Sequence, residues 1–361
     1  MKKKVLVLIV SLAMVAVFTA GCGGSNGGDA SGGDAADGAG AAAFVGKDIY
    51  GFQTGTPAET KIAFIPLSTA GVTNSMVQAS LAEQLIFYPN ITVTYFDPMY
   101  DLNKQMSMIN ECVTQGYDAI MLEASDTEAL NTTIADAEAA GVPVITINVG
   151  ASGLHTLHVQ GNDYKSGREA GRVLADALGG QGNVIVLDCP AAQKPISLMG
   201  TGFEDYVKEE APGVTLLESA PIDMWSPEIA NTTMRDLLTK YDKIDGVYCV
   251  SDDIAHGATQ AIEAAGRSAE VKVYGSMGYP DALQAIKNGT MFGTYFSDGY
   301  LEYSTALYLT LHIIQTGITA PAAGYTTTPI IDMPTIPTTA ANVENVINDS
   351  RWETLGLYQF K

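Results

Sequence analysis

From Lys61 onward the chain alternates short apolar, β-rich runs with longer segments whose apolar residues recur at helical spacing. Strands are predicted over Ile62–Leu67, Thr92–Phe96, Ala119–Glu123, Val142–Ile147 and Leu157–Val159. A second series is predicted over Val184–Leu187, Val214–Glu218, Gly246–Val250, Val271–Tyr274 and Met291–Phe296. Ser75–Tyr88, Asn103–Gln115, Asp126–Ala140 and Lys165–Leu178 read as helices. Uninterrupted runs such as AIML and VIVL belong to strands buried on both faces of a parallel sheet. The alternation therefore predicts an α/β fold with parallel sheets. Two series of similar size, meeting near Asn162, predict two lobes.

The N-terminus follows a different pattern. Lys2, Lys3 and Lys4 precede an apolar run from Val5 to Phe18, which is short for a membrane span and suits a signal peptide. The run ends in Thr19-Ala20-Gly21-Cys22, which resembles a bacterial lipobox and implies a lipidated Cys22. The alternative is ordinary cleavage, with Cys22 left as a thiol. Residues 1–22 are thus the expected signal and anchor, and 23–57 a tether. Its stretch GGSNGGDASGGDAADGAGAAA, with nothing to bury, is expected to span roughly 25 Å as a coil. Asp29, Asp34 and Asp37 in it lack the spacing of a calcium loop.

Length and charge narrow the function. The 361 residues suit two lobes of ordinary size. A formal charge of −21 argues against nucleic acid, which needs clustered Lys and Arg. Cys112, Cys189 and Cys249 have no metal-ligand spacing and read as small buried hydrophobes, a Cys189–Cys249 bridge being conceivable near two strand ends.

In open parallel sheets ligands gather beyond the carboxyl ends of the strands. Short polar residues crowd those ends here, including Ser68, Asp97, Glu123, Asn148, Asp188, Ser251 and Ser297. Asp126, Asp252 and Asp253 are expected to cap the helices they precede. No nucleotide or nucleophile motif is present, and Gly200-Thr201-Gly202 lacks the third glycine of a dinucleotide loop. His155 and His158, read as part of one strand, are expected on opposite faces and so unable to share a metal. No enzyme activity, metal or cofactor is expected.

The segments KIAFIPLS, YDAIMLEASDTEAL, AGVPVITINV and HVQGNDYKSGREAGRVL resemble the sugar-binding, ribose-binding-protein-like branch of type I periplasmic binding proteins. GTGFEDYV, IDGVYCVSDDIAHGATQAI and VKVYGSMGYPDALQAIKNG extend the match over roughly residues 58 to 335. The resemblance implies two Rossmann-like lobes joined by three hinge crossings near Gly161–Asp163, Ser297–Asp298 and Ile331–Asp332. Lobe one is then 58–162 plus 298–331, and lobe two 163–297 plus 332–361. It further implies a monomeric, membrane-anchored extracytoplasmic protein whose closed, ligand-bound form docks on ABC permease subunits. A ligand-sensing co-receptor for a membrane kinase or chemoreceptor is the alternative, and a lipoprotein hydrolase a third.

Carried onto this chain, the family's ligand positions fall at Ser68, Asn74, Ser75, Met76, Asn148, Ser197, Trp225, Ser251, Met277 and Ser297. The first-strand loop is read as Val72–Met76. Where the family has an Asp-Arg pair this chain has Asn148-Val149, and Ser197 stands where a second arginine is usual. Lys194 is the one nearby cation, in a turn where a solvated lysine is the simpler reading. A neutral pocket of Ser, Asn, Met and aromatics is expected, with ribose itself bound weakly because charge-assisted bonds are the strong ones. Trp225 reads either as a stacking platform or as an ordinary rim aromatic.

Overall fold

The apolar runs assemble into two six-stranded sheets in the computed structural model, which describes residues 59–70, 72–190, 193 and 197–361. The expected signal segment, Cys22, the tether and Lys194 lie outside the described residues. In chain order the strands are β1 (Thr60–Ile65), β2 (Ile91–Tyr95), β3 (Ala119–Leu122), β4 (Val144–Ile147), β5 (Leu157–Gly161) and β6 (Gly182–Asp188). They continue as β7 (Val214–Pro221), β8 (Gly246–Cys249), β9 (Lys272–Met277), β10 (Gly293–Ser297), β11 (Ile330–Met333) and β12 (Thr335–Thr339). The first sheet has the order β11-β5-β4-β3-β1-β2 and the second β12-β10-β9-β8-β6-β7. Every pairing is parallel except β10 with β12.

Helices cover both faces of these sheets, as parallel strands require. They are α1 (Val72–Leu85), α2 (Leu102–Thr114), α3 (Asn131–Ala139), α4 (Asp163–Ala177) and α5 (Met199–Glu210). The others are α6 (Pro227–Lys240), α7 (Asp252–Ala264), α8 (Pro280–Asn288), α9 (Gly299–Thr316) and α10 (Val343–Asp349). The alternation within β1 shows the double burial. Ile62 and Phe64 join a core with Leu81 of α1 and Tyr303 and Leu307 of α9, while Ala63 and Ile65 face Ile109 of α2 and Ile134 of α3. The second sheet has its own core, in which Phe203 stacks on Tyr248 with ring centroids 4.7 Å apart.

The chain passes between the sheets after β5, after β10 and after β11. The family resemblance puts the third passage near Ile331–Asp332. Those residues pair with Val159 and Gln160 in β11, and the change of sheet follows at Pro334. β11 and β12 escape prediction because Pro329, Pro334 and Pro337 argue against strands. Both strands are sheet edges, where a missing N–H is tolerated.

Four local expectations are corrected. Val72–Met76 is the first turn of α1, not a loop. Ser251, not Asp252 or Asp253, caps α7, its hydroxyl accepting the Ile254 N–H at 3.2 Å. Asp126 caps the turn ahead of α3 through the Glu128 and Ala129 N–H groups, rather than the helix itself. His155 precedes β5, so strand alternation does not govern it. Both histidines converge on the Thr146 hydroxyl, His155 Nε2 at 2.7 Å and His158 Nδ1 at 2.8 Å. Burial pushes His155 down to about 4 and lowers His158, so both are neutral core groups. The three described cysteines are buried and free.

Candidate ligand-binding site

The ends of β1, β3 and β4 in the first sheet face those of β6, β8 and β9 in the second across a cleft of about 890 Å³, partly open to solvent. Ser68, Asn74 and Asn148 line it from lobe one, and Ser197, Trp225, Ser251 and Met277 from lobe two. Met76 and Ser297 line an adjoining hinge-side chamber of about 430 Å³. Ser75 is exposed on α1 and lines neither space.

Backbone geometry aims several of these side chains. Tyr100, Asn148, Trp225 and Met277, all cleft residues, have φ values of 59°, 60°, 55° and 99°. Each such conformation in a residue other than glycine costs about 1–3 kcal/mol and persists only when the surroundings enforce it. Asp252 provides one such constraint behind the cleft wall. It accepts the Tyr279 N–H and the Thr294 hydroxyl, each at 2.7 Å, which fixes the β9–α8 turn.

The cleft differs from the neutral lining that the sequence suggests. Glu123, Asp163 and Asp253 line it, and Glu302 lines the hinge-side chamber. No Lys or Arg lines either space among the described residues. Burial pushes Asp163 and Glu302 up to about 8, so at neutral pH both are largely protonated and able to donate a hydrogen bond. Burial also raises Glu123, which accepts the Leu67 N–H at 3.0 Å and the Tyr303 hydroxyl. The lining is thus acidic in composition and carries less charge than its residues suggest.

One buried polar atom in the cleft has no partner within the protein, Asn74 Oδ1 in lobe one, while the Ser197 hydroxyl in lobe two lies against the Asp163 carboxyl. Most buried polar groups are satisfied, so an unpaired amide oxygen on a cleft-lining residue is a candidate acceptor for a ligand. At the rim, the Trp225 indole N–H donates to Gln193 Oε1 at 2.8 Å, and Gln193 Nε2 reaches Ser125 O of lobe one at 3.4 Å. This chain of contacts spans the two lobes.

The model of the periplasmic binding protein domain matches residues 76–318. The chain belongs to that family. Among its relatives, the xylitol-binding protein of Mycolicibacterium smegmatis is 30% identical over 223 residues, covering 60% of this chain and 62% of the relative. The ribose import binding protein of Bacillus subtilis is 31% identical over 203 residues, covering 56% and 65%. The chain thus spans somewhat under two thirds of the length of these two relatives. An ABC transporter solute binding protein of Bacillus halodurans with bound myo-inositol shares the fold with a TM-score of 0.72, at 22% identity over 83% of this chain and 99% of that one.

In this periplasmic binding protein the acids were the least legible part of the cleft. Glu123 directly follows a fully apolar strand, the position where ligand groups gather, and that signal was available. Asp163 follows the first hinge passage, and Tyr100 and Tyr279 sit in loops where no periodic pattern marks them.

The buried acids make stability depend on pH. Asp163, Asp252 and Glu302, which ordinarily ionise near 4, hold their protons to about 8 in the folded chain. Between these limits the folded state binds more protons than the unfolded state, so stability present at pH 4 is lost as pH rises towards 8. The ligand-free melting temperature is expected to fall from pH 5 to pH 8, with a shallower slope in Asp163→Asn. A flat or rising profile by scanning calorimetry would contradict these assignments.

Proposed function

We propose that this chain is the extracytoplasmic solute-receiving component of an ABC importer. It captures a small sugar-like or other polyhydroxylated ring ligand between its lobes. The observation that carries the reading is the cleft itself. Asn74, with its unpaired Oδ1, lines it from lobe one, and the Ser197 hydroxyl beside Asp163 lines it from lobe two, with Trp225 at its rim. A ligand satisfying both would favour the closed form, and closure presents one continuous surface to a permease. Relatives that bind xylitol and import ribose or D-apiose support the ligand class. The lipobox-like sequence ending at Cys22 supports anchoring on the outer side of the cytoplasmic membrane. The role is capture and release of a monomeric receptor, without turnover.

Calorimetric titration with xylitol, myo-inositol, D-apiose, D-ribose and the common hexoses tests the ligand class. At least one is expected to bind once per chain at about 10 μM or tighter, with D-ribose weaker than about 1 μM because no charged clamp meets it. Absence of heat across the whole panel would count against a sugar-like ligand.

A further inference from the structure

On the hinge side of the cleft, the second chamber shares Asn148, Met277 and Tyr279 with the main cavity, so the two spaces adjoin. Two of its wall residues, each only 5% exposed, bring an unpaired polar atom: Glu302 Oε1 from α9 and the Trp352 indole Nε1. Neither atom has a partner within the protein, which is uncommon for buried polar groups. Trp352 owes its place to the C-terminal strap of residues 350–361. Arg351 bonds Glu83 of α1 at 2.9 and 3.0 Å and stands 4.1 Å over the Tyr300 ring. Further along, Tyr358 bonds Asp281 of α8 at 2.8 Å, and the Lys361 N–H donates to Gln284 at 2.6 Å. The strap thereby touches both lobes and packs Trp352 against Met76 and Tyr300.

The chemistry of the two unpaired atoms is complementary. An indole N–H only donates, whereas the Glu302 carboxyl, which holds its proton at neutral pH, can accept or donate. A hydroxyl has the complement of both, an oxygen to take the indole proton and a proton to give the carboxyl. An ammonium, having no lone pair, cannot take the indole proton.

The geometry points to the hinge-side chamber as a second subsite, which receives a hydroxyl-bearing arm of the ligand whose ring occupies the main cleft. This inference rests on the sugar-like reading above. It makes Trp352 and Glu302 the residues that distinguish a ring carrying a hydroxymethyl arm from the same ring without one.

The two tryptophans, Trp225 and Trp352, make the test direct. Full-length chain labelled with ¹⁵N at the indoles has two indole N–H resonances. It is titrated with matched pairs differing only in the hydroxymethyl arm: D-xylose and D-glucose, L-arabinose and D-galactose, D-ribose and D-allose. In the pair that binds, the six-carbon sugar should move both resonances and bind about tenfold tighter, and the five-carbon sugar should move that of Trp225 alone. Trp352→Phe and Glu302→Met should each bring the six-carbon sugar to within about threefold of its partner and leave the partner's affinity unchanged. A six-carbon sugar that moves only the Trp225 resonance would overturn the subsite while leaving the main cleft intact. So would equal losses for both members of a pair in the variants. If none of these sugars moves the Trp225 resonance, no aldose ring occupies the main cleft and the subsite falls, while the wider sugar-like reading fails only if xylitol, myo-inositol and D-apiose also leave that resonance unmoved.

Discussion

Gly167→Ala is expected to cost about 2–3 kcal/mol of folding stability and to lower the melting temperature by about 5 °C or more. A β-carbon at this position would stand 1.9 Å from the Met199 carbonyl oxygen and 3.0 Å from the Phe203 nitrogen. These are backbone atoms of α5, and no rotamer change removes them. The same contact is built from the other side, since a β-carbon at Gly202 would stand 2.2 Å from the Tyr164 carbonyl oxygen of α4. The two helices therefore meet backbone to backbone through paired glycines. Adding a methyl group forces them apart and loosens the Phe203–Tyr248 core beneath. Gly202→Ala should behave alike. Unchanged melting of both variants would mean that α4 and α5 do not approach in this way.

Trp225→Ala is expected to weaken ligand binding about 30-fold or more, close to 2 kcal/mol, with little change in melting temperature of the ligand-free protein. The residue is half-buried at the cleft rim, so its ring offers stacking area to a ligand without carrying the core. Its indole N–H also holds Gln193, whose amide reaches Ser125 across the lobes. Trp225→Phe keeps the stacking face and loses that bond, so it should stay within about fivefold of the parent. Equal affinity in Trp225→Ala and the parent, measured by calorimetry with a bound sugar or polyol, would remove Trp225 from the site.

Of the ten strands read from the sequence, eight are interior, where parallel strands buried on both faces are largely apolar, and β3 and β4 are buried at every position. β11 and β12 were hidden by their prolines. His155 misled because its strand begins two residues later, at Leu157. Within the cleft, the residues at strand ends came from topology, and Asn148 and Met277 sit at equivalent places after β4 and at the end of β9. What a single sequence did not reveal was the protonation of the site. A glutamate such as Glu302 looks like any exposed helix residue until the Tyr303 and Trp352 side of the chamber closes over it. Trp352 carried no signal at all, because only the strap's contacts with Glu83 and Asp281 bring it to the hinge.

The cleft between the sheets is expected to hold a polyhydroxylated small molecule. Mass spectrometry of the compounds released when the purified, natively folded chain is denatured tests it most directly. The expected result is one neutral sugar, polyol or related ring compound at up to one per chain, lost from Trp225→Ala. Release of a peptide, a nucleotide or an acidic metabolite in the same proportion would contradict the account.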